Sequence, residues 1–300
     1  MSFRTVVITK RCKLDFSLGY LEVRTQELQK IHISEISMLI IESTGVSLTA
    51  ALLCELMHRK VKVIFCDEKR NPSSELIPCY GSYDTSGKIR QQIAWPQSRK
   101  DLLWTAIIRE KIRKQQAMLR YAHQEERSAL LGAYAQDVRE ADASNREGHA
   151  AKVYFGGLFG PDFSRNQDCA INQALNFGYA ILLSSFNREI VANGYITQLG
   201  IFHDNMLNPF NLACDLMEPY RPLVDRLVYD LRPTEMTPEL KHRLIDIVNA
   251  CVTIENSRQH IANAIKIYCK SVFRALNEND MEELRFYEDE LSLYEGDRIF

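Results

Sequence analysis

The sequence has no apolar run long enough to span a bilayer, and its opening, Met1-Ser2-Phe3-Arg4-Thr5, lacks the apolar core of a secretory leader. These absences predict a cytoplasmic protein with no membrane partner. There is no Cys-x-x-Cys pair: the eight cysteines, at 12, 54, 66, 79, 169, 214, 251 and 269, form no zinc-like group and read as reduced, mostly buried thiols. Charge of neither sign dominates, 37 basic residues standing against 39 acidic, so an anionic partner must be met by a local patch and not by the field of the whole molecule. Internal repeats and low-complexity segments are absent. The glycine-dense stretch Gly156-Gly157-Leu158-Phe159-Gly160 follows no strand and has the wrong spacing for a dinucleotide fingerprint. No side-chain nucleophile stands beside a base, so any covalent chemistry must take its nucleophile from the substrate.

Three hundred residues can bury a sizeable core, and the pattern divides them into two domains. Residues 1–85 read as short strands, at Thr5 to Thr9, Lys13 to Phe16, Tyr20 to Arg24, Leu28 to Ile31, Met38 to Ile41, Val61 to Cys66 and Glu75 to Pro78. One helix, Leu48 to Arg59, interrupts them, with Ser47 or Thr49 as its cap. An antiparallel sheet or sandwich is expected. Residues 86–98, within a stretch rich in Gly, Ser and polar residues, read as a linker. From Arg99 the period changes to that of a helix, with Leu102, Leu103, Ala106, Ile107 and Ile112 on one stripe, and 99–300 is expected to be all helical. Its helices include Asn172 to Asn193, Leu240 to Val252 and Ser257 to Leu276, and the charged last twenty residues are expected to form a tail. The fold class is therefore α+β, a small β-sandwich-like domain followed by a larger all-α one.

The stretch His203 to Pro222 gathers an imidazole and two carboxylates, Asp215 and Glu218, three residues apart and so on one helix face. That is half of a metal site, or equally a core histidine beside a Pro-kinked helix. Glu147 offers a third carboxylate near a helix start, where Ser144 or Asn145 would cap. A capping box would place a Glu there without any metal. His149 competes with it but points to another face. Arg109, Lys111, Arg113, Lys114 and Arg120 crowd one long helix, a run that most often is a solvated face.

Three phrases carry a resemblance: Ser144-Asn145-Arg146-Glu147-Gly148-His149-Ala150-Ala151, then Leu158-Phe159-Gly160-Pro161-Asp162-Phe163, then Asp215-Leu216-Met217-Glu218-Pro219-Tyr220-Arg221-Pro222. Ile33-Ser34-Glu35-Ile36 and Val63-Ile64-Phe65-Cys66-Asp67-Glu68-Lys69-Arg70 add to it. Together they resemble the integrases of CRISPR spacer acquisition, the Cas-one family, and among them the type II-A branch. The resemblance implies an amino-terminal β domain that forms a homodimer and a helical catalytic domain. It implies that Glu147, His203 and Glu218 bind one Mg²⁺ or Mn²⁺, with Asp215 supporting the site or replacing Glu218 as the direct ligand. The implied reaction is attack of the 3′-hydroxyl of a short foreign DNA, the spacer, on a phosphodiester of the CRISPR array, a transesterification that needs no ATP and serves antiviral defence. Implied partners are double-stranded DNA (spacer precursor and repeat), the small companion Cas-two protein, the type II effector nuclease and a ring-shaped DNA-end-binding protein. DNA of varied sequence is held through phosphates, for which Arg109, Arg113, Lys114, Arg120, Arg146 and Arg221 are the candidates. Two other readings stay open: a metal-dependent nuclease of branched DNA, and a DNA-binding subunit without catalysis.

Overall fold

A computed structural model of the chain describes residues 4–79 and 82–288. The chain divides into two units, Met1–Tyr83 and Asp84–Phe300. In the first, strands β1 (Arg4–Ile8), β2 (Lys13–Ser17), β3 (Tyr20–Arg24), β4 (Leu28–His32), β5 (Ile36–Ile41) and β6 (Ser47–Leu48) are followed by helix α1 (Ala50–His58) and strands β7 (Lys62–Cys66) and β8 (Pro72–Leu76). They form two four-stranded sheets, ordered β1-β5-β7-β8 and β4-β3-β2-β6. The sheets are mixed, not antiparallel as expected: β1, β5 and β7 run parallel, because the links between them return through the β2–β4 meander and through α1. β5 is buried at all six positions, the mark of a strand covered on both faces. Leu18 and Gly19, both at positive φ, make the tight turn that pairs β2 with β3. Thr49 caps α1 by accepting from the Leu52 N–H at 3.4 Å. Ile8, Leu39, Ile41 and Val63 of one sheet, Leu14, Leu21 and Val23 of the other, and Leu52 and Leu56 of α1 share a single apolar core.

The second unit is mainly helical: α2 (Thr85–Ile93), α3 (Gln97–Tyr121), α4 (Glu125–Gln136), α5 (Arg146–Phe159), α6 (Ala170–Ala192), α7 (Asn211–Met217), α8 (Arg221–Leu231) and α9 (Pro238–Ile245). A hairpin of β9 (Cys251–Ile254) and β10 (Ser257–His260) precedes α10 (Ile261–Glu278). Two expectations fail here. The linker at 86–98 is a helix docked into the unit: Gln92, 1% exposed, donates to the carbonyls of Ile196 and Leu199 at 2.9 Å and accepts from Ile196 N–H at 3.0 Å. The unit is also not all α, since Glu255 and Asn256, both left-handed, turn the chain into the β9–β10 hairpin where a helix from Ser257 was expected.

α3 packs against α4, α5 and α8, and α6 against α7, α8, α9 and α10. Gly178 permits the close approach of α6 to α8; a Cβ there would lie 2.5 Å from Cγ1 of Val224. The cysteines are free thiols, but only Cys12, Cys66 and Cys269 are buried, so the expectation of mostly buried thiols also fails. Residues 289–300, the greater part of the expected tail, lie outside the described residues. Among the described residues no helix is long and apolar enough to cross a membrane.

Candidate functional site

Four elements of the second unit bring the candidate residues together. Glu147 sits in the first turn of α5, whose start is set by Asp142: its Oδ1 accepts from Arg146 N–H at 2.8 Å and its Oδ2 from Glu147 N–H at 3.0 Å. Asn145, in the left-handed region at φ 50°, makes no side-chain cap, so Asp142 does the capping expected of Ser144 or Asn145. The carboxylate also complements the positive end of the helix. The segment before it is tied to α3, because Thr105 Oγ1 accepts from Ala141 N–H at 2.9 Å. Glu147 thereby faces Lys111 of α3, with its Oε1 2.5 Å from Lys111 Nζ.

Glu218 enters from the junction of α7 and α8, a 3₁₀ turn over Glu218–Tyr220. Pro219 and Pro222 have no N–H to donate and fall at the first positions of successive helical segments, where none is needed. The Glu218 side chain is 3% exposed; its Oε2 lies 2.5 Å from Lys111 Nζ and its Oε1 2.9 Å from Arg221 Nη2. Oε2 is buried and has the Lys111 ammonium as its partner. Burial works against ionisation of Glu218, but the charges of Arg221 and Lys111 outweigh it and hold the carboxyl below its ordinary range. Burial likewise opposes the charged form of Lys111, and Glu218 and Glu147 overcome it, keeping the amine above its ordinary value. Lys111 is therefore an ammonium shared by two carboxylates.

His203 lies in the loop before α7, and Asp215 of α7 fixes it there. Asp215 is fully buried; its Oδ2 accepts from the N–H groups of Ile201 at 2.6 Å and Phe202 at 3.1 Å, and its Oδ1 from that of His203 at 3.1 Å. The same Oδ1 is 2.5 Å from His203 Nδ1. This turn needs a residue without a side chain at Gly200, where a Cβ would meet the His203 carbonyl at 2.2 Å and Asp215 Oδ2 at 2.8 Å. Asn211 closes the loop from the other side, donating to the carbonyls of Gln198 and Asn205 at 3.0 Å. Phe202 stacks on Trp104 of α3 at 4.4 Å between ring centroids, and the His203 ring meets Trp104 edge-on at 5.7 Å. The hydrogen bond that His203 donates to Asp215 raises the His203 pKa against the effect of burial, with the charges of Asp215, Glu218 and Glu147 adding to it. With Nδ1–H given to Asp215, Nε2 of the neutral ring is the acceptor.

Glu147 and Glu218 lie on either side of Lys111, and the charges of both act on His203. Among the described residues no three His, Cys, Asp or Glu side chains stand together as a ready metal site. The Lys111 ammonium instead contacts both glutamates. Asp215 is spent on the loop and on His203, which makes it the positioning carboxylate of the pair Asp215 and Glu218. The residues fit a divalent ion: two carboxylates already share one cation, and the histidine is oriented through its other nitrogen.

The basic run of α3 separates by face. Arg113 and Arg120 are exposed, and Arg109 is half-buried, donating to the Val138 carbonyl at 3.3 Å. Lys114 is 4% exposed, 3.0 Å from Glu110 Oε1 and hydrogen-bonded to the Tyr287 carbonyl, so it does not belong to the solvent face where it was expected. Arg146 is held by Asp137, its Nε 2.7 Å from Oδ2, and Arg221 by Glu218 and the face of Tyr179. The sequence reading missed Asp142, Gly200 and the role of Lys111. For Lys111 a signal existed: it stands three residues after Ile108 and four after Ile107, on the apolar stripe, where a charge implies a buried partner.

A small two-sheet unit followed by a mainly helical unit that holds a cluster of acids, a lysine and a histidine defines an α+β protein. The profile of one family, described as CRISPR associated protein Cas1, matches residues 5–266, and the chain belongs to that family. A curated relative from Neisseria meningitidis serogroup C (strain 8013), named CRISPR-associated endonuclease Cas1, is 34% identical over 274 residues, covering 89% of each chain. Among solved structures, one described as a casposase bound to integration product superposes with a TM-score of 0.74 at 18% identity, covering 100% of this chain and 96% of that one. A chain of a Cas6-RT-Cas1–Cas2 complex gives 0.71 at 17% identity over 94% of this chain and 36% of that one.

Proposed function

We propose that this chain is a metal-dependent DNA integrase of CRISPR adaptation, joining the 3′-hydroxyl of a short duplex to a phosphodiester of the repeat array. The observation that carries the proposal is the pair of carboxylates, Glu147 and Glu218, meeting around one cation next to a histidine oriented by Asp215. Glu147, Glu218 and Nε2 of His203 would hold Mg²⁺ or Mn²⁺. A divalent ion there supplies Lewis acidity, favouring ionisation of the attacking hydroxyl and neutralising charge on the phosphorus in the transition state. The protein's own contribution is placement. Asp215 keeps the imidazole in one tautomer, the Trp104–Phe202 stack supports the loop that bears it, and Arg221 keeps Glu218 ionised. In the reaction one P–O bond forms as another breaks, and the array's own 3′-oxygen leaves, so the number of phosphodiesters is unchanged.

Membership of the Cas1 family supports this reading, and so does the likeness in fold to a casposase described with its integration product. The proposal extends to double-stranded DNA as substrate, to a homodimer through the first unit, and to a Cas2-type companion of the kind named in the Cas6-RT-Cas1–Cas2 complex. The branch reading, type II-A, rests on the quoted sequence phrases. Cleavage of branched DNA is the second reading, favoured by the name endonuclease that the curated relative carries; the same residues would serve, with water in place of the DNA hydroxyl. A labelled short duplex incubated with a supercoiled plasmid bearing repeats separates the two. An integrase transfers label to the plasmid, whereas a nuclease nicks or cuts without transfer.

A further inference from the structure

Lys111 has no part in the ligand set just described, yet it contacts two of the residues in it. Its side chain is 10% exposed, and its Nζ lies 2.5 Å from Glu147 Oε1 and 2.5 Å from Glu218 Oε2. It comes from the buried stripe of α3 between Ile107, Ile108 and Ile112, all at 0% exposure, so the stem is fixed and the head has little choice of partner. Two carboxylates this close in a largely buried site repel one another unless a cation lies between them. A divalent ion and the ammonium ask for the same oxygens.

We propose that Lys111 is the resident counter-cation of the site: it holds the two glutamates together before a divalent ion arrives, and it must leave the oxygens for the ion to bind. This rests on the reading of Glu147 and Glu218 as ligands. Cation binding is then an exchange, in which the free energy of the ammonium–carboxylate contacts is subtracted from that of the ion. Affinity is held down, and the ion-free protein keeps a folded site. The carboxylate geometry is preorganised by a group of the chain itself.

The test is titration calorimetry of the full chain with Mn²⁺ alone, on wild type, Lys111→Met, Lys111→Arg and a Glu147→Gln/Glu218→Gln double variant. Because Lys111→Met takes the shared ammonium from Glu147 and leaves Glu218 with Arg221 alone, it can weaken folding, and thermal unfolding with and without Mn²⁺ is recorded for each. The expected result is Mn²⁺ binding to Lys111→Met tighter than to wild type by roughly tenfold or more, and no tightening in Lys111→Arg, which keeps the charge. Lys111→Met should also melt lower than wild type without the ion and gain more from adding it. If wild type binds Mn²⁺, the double Gln variant does not, and Lys111→Met binds no tighter than wild type, the counter-cation role is overturned while the site reading stands. If wild type and the double Gln variant give the same trace, the ligand assignment fails and this inference with it.

Discussion

Asp215 and His203 are joined twice, through the His203 backbone N–H at 3.1 Å and through its ring Nδ1 at 2.5 Å, both to the same carboxylate oxygen. One buried side chain thus sets the position of the residue and the tautomer of its ring. Asp215→Asn keeps the size but can no longer accept at every contact, so some of the four N–H groups lose their partner. We expect a folded protein whose Mn²⁺ affinity or joining rate falls by about 10–100-fold, the usual effect of removing the partner of a ligating histidine. Raised Mn²⁺ should recover part of the loss. Joining by the variant at the wild-type rate, at the Mn²⁺ concentration used for wild type, would show that Asp215 does not act through His203.

The two faces of α3 predict two kinds of mutant. Arg113→Ala with Arg120→Ala should leave stability near wild type and lower the salt dependence of DNA binding by about one unit per lost phosphate contact, similarly for unrelated sequences. Lys114→Met should instead destabilise by about 1–3 kcal/mol in urea unfolding, because a buried ammonium's contacts to Glu110 and to the Tyr287 carbonyl are lost while Glu110 keeps only the more distant Arg113. An unchanged salt slope in the double Arg variant would move the DNA path to another surface.

How far the sequence foretold this division can be seen on the same helix. The period of α3 was legible from Leu103, Ile107 and Ile112, and the strands of the first unit from their β-branched runs. Reading all five basic residues as one face ignored that period, which puts Arg109, Arg113 and Arg120 on one side and Lys111 with Lys114 on the other. The site residues Glu147, His203 and Glu218 were recognisable from phrases, but their counter-ion was not, since its role depends on tertiary packing of α3 against α5 and the α7–α8 junction. The β9–β10 hairpin was hidden for another reason: its strands are four residues each, and the helical period of α10 masks the short alternation before it.

Asp225 gives a pH prediction. It accepts from Tyr154 Oη at 2.9 Å and from Tyr179 Oη, and burial pushes its carboxyl up to about 6, against those hydrogen bonds and the charges of Arg165 and Arg221. The folded value lies above the unfolded one, about 3.9, so between the two the folded state holds the extra proton. Its stabilising effect is present at low pH and lost as pH rises through about 6, on the order of 2–3 kcal/mol in all. Asp225→Asn cannot titrate. The stability of wild type minus that of the variant, from urea unfolding, should fall between about pH 4 and 6.5; a difference that rises with pH would contradict the assignment.

Assembly is tested by light scattering on the full chain. The first unit exposes Leu18 at 91%, Leu28 at 50% and Ile77 at 40%, and a symmetric pairing of this unit would cover apolar surface of that kind. A dimer is expected at micromolar concentration. A monomer would remove the homodimer from the proposal.

The central claim is that Glu147 and Glu218 hold a catalytic cation for strand joining. Its most direct test is transfer of a labelled duplex into a repeat-bearing supercoiled plasmid by wild type, Glu147→Ala and Glu218→Gln, in Mn²⁺ and in chelator, with DNA binding measured in parallel. The account predicts label transfer by wild type in Mn²⁺ only, and none by either variant although both still bind DNA. Transfer by Glu218→Gln at the wild-type rate, or by wild type in chelator, would contradict it.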